Sequence, residues 1–237
     1  MPQRVLVTGA SRGLGAALAR EFCKRGHRVF LVARDADDLA RVAAEITRSL
    51  GAEAATWRAQ DLRDVAGTEA LARAAEDAWG GIDILVNNAA IGPYRPFLDN
   101  SPQDLRELLA LNLEVPMRLT HALLPGMLER GSGHVINIAS DLARRPLAQM
   151  APYVASKHGL LGFGASLQRE VRGRGVRVTT VMPGVIDSAF NGSIEGSRDP
   201  RWALPTAALA QQVVDLSELP ATMVVDELVV HPADGDY

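Results

Sequence analysis

The stretch Val5-Leu-Val-Thr-Gly-Ala-Ser-Arg-Gly-Leu-Gly-Ala16 decides the fold. Val5, Leu6 and Val7 form a short β-rich apolar run, the pattern of a strand buried on both faces inside a parallel sheet. Glycines follow at 9, 13 and 15, and Ala16 to Phe22 carries helical spacing. Strand, glycine turn and helix form the βα unit that receives a nucleotide phosphate. Gly9 permits the sharp turn, Gly13 opens the backbone N–H groups to a pyrophosphate, and Gly15 lets the helix pack close to the strand. The helix N-terminus adds partial positive charge and unpaired donors. The spacing is T-G-x-x-x-G-x-G, with three residues between the first two glycines.

Strand-like and helical segments alternate along the rest of the chain. Strands are expected at 29–33, 53–59, 82–86, 133–138, 176–182 and 227–230. Helices are expected at 37–50, 65–79, 102–130, 152–172 and 206–216, the long 102–130 helix bending at Pro116 and Pro125. Repeated β-α units imply a parallel sheet with helices on both faces. The expected fold is therefore α/β: one doubly wound, Rossmann-type domain over 1–237, with a seven-stranded parallel sheet. Turn-type residues fill 186–205, among them Asn191-Gly and Asp199-Pro, which suits a substrate loop.

Composition bounds the function. The chain has 237 residues, 47% of them hydrophobic and 22% charged, as in an ordinary globular domain. Its net charge of −3 argues against a nucleic-acid partner. Cys23 is the single cysteine, which excludes an intrachain disulfide and a thiolate-rich metal site; a small buried side chain is expected there. The five histidines show no metal-ligand spacing, so no metal site is expected. No apolar run is long enough to span a membrane, and the first strand begins too early for a signal peptide. A cytoplasmic protein is expected.

In an open parallel sheet, ligands bind beyond the carboxyl ends of the strands. Polar residues collect there: Thr8-Gly9, Asp61, Asn87-Asn88, Ser140 and Pro183-Gly184. Tyr153 and Lys157 lie four apart at the start of a helix and share one face. Tyrosine has a pKa of about 10, and a neighbouring ammonium lowers it by favouring the phenolate. Ser140, at the end of a strand, is placed to hold a carbonyl or hydroxyl oxygen.

These pieces together resemble the short-chain dehydrogenase/reductase (SDR) family. The matching segments are Thr8-Gly-Ala-Ser-Arg-Gly-Leu-Gly15, Asp61-Leu62, Asn87-Asn-Ala-Ala90, Asn112, Ser140, Tyr153-Val-Ala-Ser-Lys157 and Pro183-Gly184, in family order and spacing. The resemblance implies a strand order of 3-2-1-4-5-6-7 and hydride transfer between a nicotinamide cofactor and a carbonyl or alcohol. It makes Tyr153 the general acid or base. It has Lys157 lower the Tyr153 pKa and bond the nicotinamide ribose. Ser140 would orient the substrate oxygen, and Asn112 would position a water leading to Lys157. Gly9, Ser11, Arg12, Gly13, Leu14 and Gly15 would form the phosphate loop. Asp61 and Leu62 would flank the adenine, Asn87 and Ala89 would line the cofactor cleft, and Pro183, Gly184, Val185 and Ser188 would meet the nicotinamide end. Two positions depart from the pattern: Ala90 stands where a glycine is usual, and Ser188 where a threonine is common.

The NAD-preferring members carry an acidic residue at the end of the second strand. Here Ala33 and Arg34 stand there, and Arg12 lies in the glycine loop. Two guanidiniums suit a 2′-phosphate, so NADP(H) is expected in preference to NAD(H). The expected partner is a small carbonyl or alcohol, with Asp141, Leu142, Arg145 and the 186–205 loop among the pocket residues. A homodimer or homotetramer is expected, through the 102–130 and 152–172 helices. The alternative from another class is a nucleotide-binding regulator of the same fold without turnover.

Overall fold

The structure is a computed structural model and describes residues 2–51 and 54–234. Among them, seven strands form one sheet in the order β3-β2-β1-β4-β5-β6-β9, every neighbouring pair parallel. The strands are β1 (Arg4–Thr8), β2 (Arg28–Ala33), β3 (Ala55–Ala59), β4 (Ile84–Asn87), β5 (Gly133–Ile138), β6 (Val176–Pro183) and β9 (Glu227–Val230). Two short strands, β7 (Ile186–Asp187) and β8 (Leu204–Pro205), pair separately. The expected order 3-2-1-4-5-6-7 is the observed one, with β9 as the seventh strand.

Strand alternation sends neighbouring side chains to opposite faces, and β1 shows it. Val5 and Val7 pack with Leu18 and Phe22 of α1 (Gly13–Lys24), Leu39 and Val42 of α2 (Ala36–Leu50) and Val213 of α7 (Thr206–Glu218). Leu6 packs on the other side with Leu71 of α3 (Thr68–Trp79), Leu119 and Leu123 of α5 (Val115–Glu129) and Leu167 of α6 (Ala151–Val171). Burying each such side chain stabilises the fold by about 1.5–3 kcal/mol. Cys23 is buried on α1, where burial pushes its thiol up to about 12.

Three expectations change. The 102–130 helix is not one bent α-helix. It is α4 (Pro102–Leu109), a π-helical turn at Ala110–Glu114, and α5. The irregularity includes Asn112, four residues before Pro116. Helical backbone continues through Glu114 and Val115 into α5, so Pro116 lacks the N–H that would bond back to that turn, and its ring crowds the carbonyl four residues before it. The third strand begins at Ala55, and the expected start at Glu53 lies outside the described residues. The 186–205 loop is partly ordered by the β7–β8 pair and a single helical turn at Phe190–Gly192. No helix among the described residues is long and apolar enough to cross a membrane.

Candidate active site

The carboxyl ends of β1, β4, β5 and β6 bring the candidate residues to one edge of the sheet. The glycine turn is held from β4. Asn88 donates from Nδ2 to the Thr8 carbonyl at 2.8 Å, and the backbone N–H groups of Asn88 and Ala89 donate to Thr8 Oγ1 at 2.9 and 3.0 Å. Gly9 has φ +68°, and a Cβ on Gly15 would lie 2.1 Å from the Gly9 carbonyl oxygen. The first turn of α1 has neither a side-chain cap nor an acidic residue. Its N–H groups are thus left for an outside acceptor. This cradle fits the pyrophosphate of a dinucleotide. Ser11 and Leu14 lie within the turn and the first helical residues. Ser188 is buried against the same loop, its Cβ 3.4 Å from where a Gly13 Cβ would stand.

At the adenosine end, Arg12 and Arg34 are both exposed. Asp35, the nearest acid to the end of β2, caps α2 by accepting from the Asp38 N–H at 2.9 Å. Its carboxylate is therefore engaged with the helix. Asp61 receives Arg63 at 2.6 Å, and Arg63 also reaches Glu107 of α4 at 3.0 Å. Leu62 is buried in the core beside them.

Asn87 departs from its expected place at the cleft. Its Nδ2 donates inward to Asn137 Oδ1 at 2.9 Å, and the residue is buried. Asn88, the next residue, faces the glycine turn instead. Adjacent residues of a strand point to opposite faces, and the sequence does not say which asparagine points where.

The catalytic candidates converge on the start of α6. Tyr153 is buried. Gly92 lies flat against the ring: a Cβ there would come within 2.6 Å of Tyr153 Cδ2. The ring of Phe190, from the 186–205 loop, sits with its centroid 6.1 Å from that of Tyr153. Asn191 ties the loop down by donating from Nδ2 to the Gly92 carbonyl. Gly92 and Asn191 were not marked by the sequence, because their roles depend on where the loop folds.

Lys157 is buried with its Nζ 5.5 Å from the centroid of the Tyr153 ring, and it donates to the Ile138 carbonyl at 2.8 Å. Burial pulls the Lys157 ammonium down to about 7. Burial also pushes the Tyr153 phenol up to about 12; the Ser140 hydrogen bond opposes that rise and the Asp141 charge adds to it. The expected depression of Tyr153 by Lys157 is thus absent in the protein alone. The physical reason is desolvation: the dry site disfavours both the phenolate and the ammonium.

Asn112 is buried and its side chain is fixed by three hydrogen bonds. Its Oδ1 accepts from the Ile91 N–H at 2.9 Å. Its Nδ2 donates to the Ile91 carbonyl at 2.7 Å and to Ser156 Oγ at 3.1 Å. The side chain therefore clamps the loop after β4 to α6. Pro183 ends β6, Gly184 donates its N–H to the Val230 carbonyl at 2.8 Å, and Val185 is exposed beyond it.

The sequence matches the model of the short chain dehydrogenase family over residues 3–199. It is 39% identical to D-threitol dehydrogenase from Mycolicibacterium smegmatis, over 98% of this chain and 91% of that protein. The structure superposes on an alcohol dehydrogenase from the archaeon Thermococcus sibiricus complexed with 5-hydroxy-NADP, with a TM-score of 0.93 and 26% identity, covering 100% of this chain and 99% of that one. It also superposes on a metagenomic short-chain oxidoreductase in complex with NADP, with a TM-score of 0.86 and 35% identity, over 98% of both chains. The chain belongs to the short-chain dehydrogenase family and is an oxidoreductase of that family.

Proposed function

We propose that the protein is an NADP(H)-dependent reductase that interconverts a small carbonyl compound and its alcohol, with Tyr153 as the proton-transfer group. The observation that carries this reading is the convergence of three buried residues, Tyr153 and Lys157 at the start of α6, with Lys157 Nζ 5.5 Å from the Tyr153 ring centroid, and Ser140 just after β5, in a dry site where burial pushes the phenol up to about 12. A protonated phenol is the state that reduction requires, since the carbonyl oxygen must gain a proton as it becomes an alcohol. Bound NADPH supplies the hydride. Ser140 orients the substrate oxygen beside the phenol. Lys157, near neutrality in its dry site, is able to give up or accept a proton at physiological pH and so to replenish Tyr153.

The preference for NADP(H) rests on Arg12, Arg34 and the occupied Asp35. Two exposed guanidiniums favour a 2′-phosphate, and no free carboxylate stands at the end of β2 to bond a 2′-hydroxyl. NADP in the 35% identical oxidoreductase supports the same choice. Gly9, Ser11, Gly13, Leu14 and Gly15 would cradle the pyrophosphate. Asp61, Leu62 and Ala89 would border the adenosine, and Pro183 to Ser188 the nicotinamide.

The 186–205 loop is the substrate loop on this reading, because Phe190 covers Tyr153. We place the enzyme's work in the cytoplasm and expect a homodimer or homotetramer. On α6, Gly162 and Ala165 are exposed, while Gly159 and Gly164 face inward against Leu113 and Thr180. Exposed Leu109 and Met117, on α4 and α5, are further candidates for the contact.

Loss of NADPH absorbance with a panel of aldehydes and ketones tests the function. Turnover of one of them is expected. Binding of NADPH without turnover of any would favour a regulator.

A further inference from the structure

Among the described residues, two that are not glycine have a left-handed backbone: Gln149 with φ +64° and Asn191 with φ +55°. A side chain crowds that conformation, so each is held there by its surroundings. Both flank Tyr153. Gln149 lies four residues before it, and Asn191 follows Phe190, whose ring stands 6.1 Å from the Tyr153 ring between centroids. Both are also fastened to one stretch, 92–95, which follows β4. The Gln149 carbonyl accepts from the Arg95 N–H at 3.1 Å, and Asn191 Nδ2 donates to the Gly92 carbonyl.

That stretch is itself anchored. Asn112 bonds both backbone groups of Ile91. Arg95 donates from Nε to Asn100 Oδ1 at 2.9 Å, and its Nη2 lies 3.1 Å from Asp104 Oδ2 of α4. Gly92 meets both rings: a Cβ there would come within 2.6 Å of Tyr153 and 3.2 Å of Phe190. The loop facing it has few ties. From Phe190 to Arg198 the other hydrogen bonds stay within the segment. They run from the Ser193 N–H to the Phe190 carbonyl, from the Ser197 N–H and Oγ to the Ile194 carbonyl, and from Arg198 Nη2 to Ser193 Oγ. Among the described residues, the Asn191 side chain thus makes the one hydrogen bond that joins 190–198 to the rest of the chain.

We infer that Asn191 is a positioning residue: it latches the 190–198 segment to Gly92 and so holds the Phe190 ring beside Tyr153 as an apolar wall of the substrate site. The inference rests on Tyr153 being the proton-transfer group. Phe190 then faces one arm of the carbonyl substrate. Ile91 and Leu142 pack against the same cluster as Tyr153, so the arm that fits this lining is apolar. The latch is closed before any substrate binds. Without it, substrate must order the segment itself, and apparent affinity falls with the fraction of molecules in which the wall is in place. The proton-transfer groups are untouched, so the loss falls on KM rather than on kcat.

Asn191→Gly isolates the latch, because glycine adopts the left-handed backbone freely and lacks only the donor. Hydrogen–deuterium exchange of the ligand-free protein, read by mass spectrometry on peptides covering 190–198, reports the latch without turnover. Exchange there is expected to rise by about 2–10-fold, the worth of one hydrogen bond, with peptides of α6 unmoved. KM for acetophenone, the apolar probe, should rise by a similar factor at nearly constant kcat, while KM for acetone should hardly move. Asn191 acts through Phe190, so in a Phe190→Ala background the Asn191 change should leave KM where Phe190→Ala alone puts it. If Asn191→Gly does not fold by circular dichroism, Asn191→Asp, which keeps the shape and loses the donor, is read in the same way. Exchange unmoved by loss of the donor overturns the inference, and so does faster exchange with KM for acetophenone unchanged. Absence of turnover with any ketone in the wild type would count instead against the proposed function, and the exchange measurement would still decide the latch.

Discussion

Lys157 Nζ approaches the Tyr153 ring to 5.5 Å from its centroid, yet it donates its hydrogen bond to the Ile138 carbonyl at 2.8 Å. The pair shares a helix face, as an i, i+4 spacing requires, but the lysine is anchored to the end of β5. In the protein alone it therefore meets Tyr153 by proximity, not by a direct bond. Burial governs both groups: it holds the phenol protonated and brings the ammonium close to neutrality.

The cofactor choice follows from Arg34. Arg34→Ala should weaken NADPH binding by about 1.5–3 kcal/mol, the range for a hydrogen bond to a charged group. NADH binding should hardly change. Fluorescence titration with both cofactors checks this, and equal affinity of the native protein for NADH and NADPH would contradict it.

Asn112 holds Ile91 and Ser156 through three hydrogen bonds. Asn112→Ala should leave the Ile91 N–H and carbonyl without these partners in a mostly buried place. A loss of about 1–3 kcal/mol is expected, read as a lower urea midpoint. Turnover should fall as well, since Ser156 and Tyr153 share the first turns of α6.

Acid should destabilise the fold through His134. This histidine on β5 is buried, with Nε2 bonded to Thr179 Oγ1 at 2.8 Å, and burial holds its pKa down to about 3. Above the unfolded value of about 6.5 the ring is neutral in both states, and its contribution is fully present. As pH falls from about 6.5 toward about 3, the unfolded chain takes up a proton that the fold refuses, so stability declines. His134→Leu should flatten the slope of stability against pH over that window. Urea unfolding at several pH values measures it, and an unchanged slope would contradict it.

Much of this was legible in the sequence, for physical reasons. The alternation of apolar β runs with helical spacing, together with the glycine turn, determined the parallel α/β architecture, because parallel strands need crossover helices; the strand order came from the family resemblance. The glycines at 9, 13 and 15 announced close backbone approach, and the Cβ positions bear it out at Gly9 and Gly15. What stayed hidden was direction. Nothing in Asn87-Asn88 tells which amide turns to the core and which to the turn. The π-helical turn at Ala110–Glu114 is written in tertiary contacts of Asn112, not in local propensity. The state of Tyr153 and Lys157 depends on burial, which spacing alone does not report. Asp141 looked like one pocket residue among several until its oxygens were seen to be divided between Ser140 and Arg145.

The central claim is that Tyr153 hands over the proton. Tyr153→Phe keeps the ring against Gly92 and Phe190 and removes only the hydroxyl. The decisive measurement is the rate of NADPH oxidation with one model ketone, in the wild type and in Tyr153→Phe, with NADPH binding followed in parallel. Binding should persist in the variant while turnover falls by about 10²–10⁴-fold, the worth of a positioned general acid. Wild-type reduction that continues undiminished in Tyr153→Phe would contradict the account.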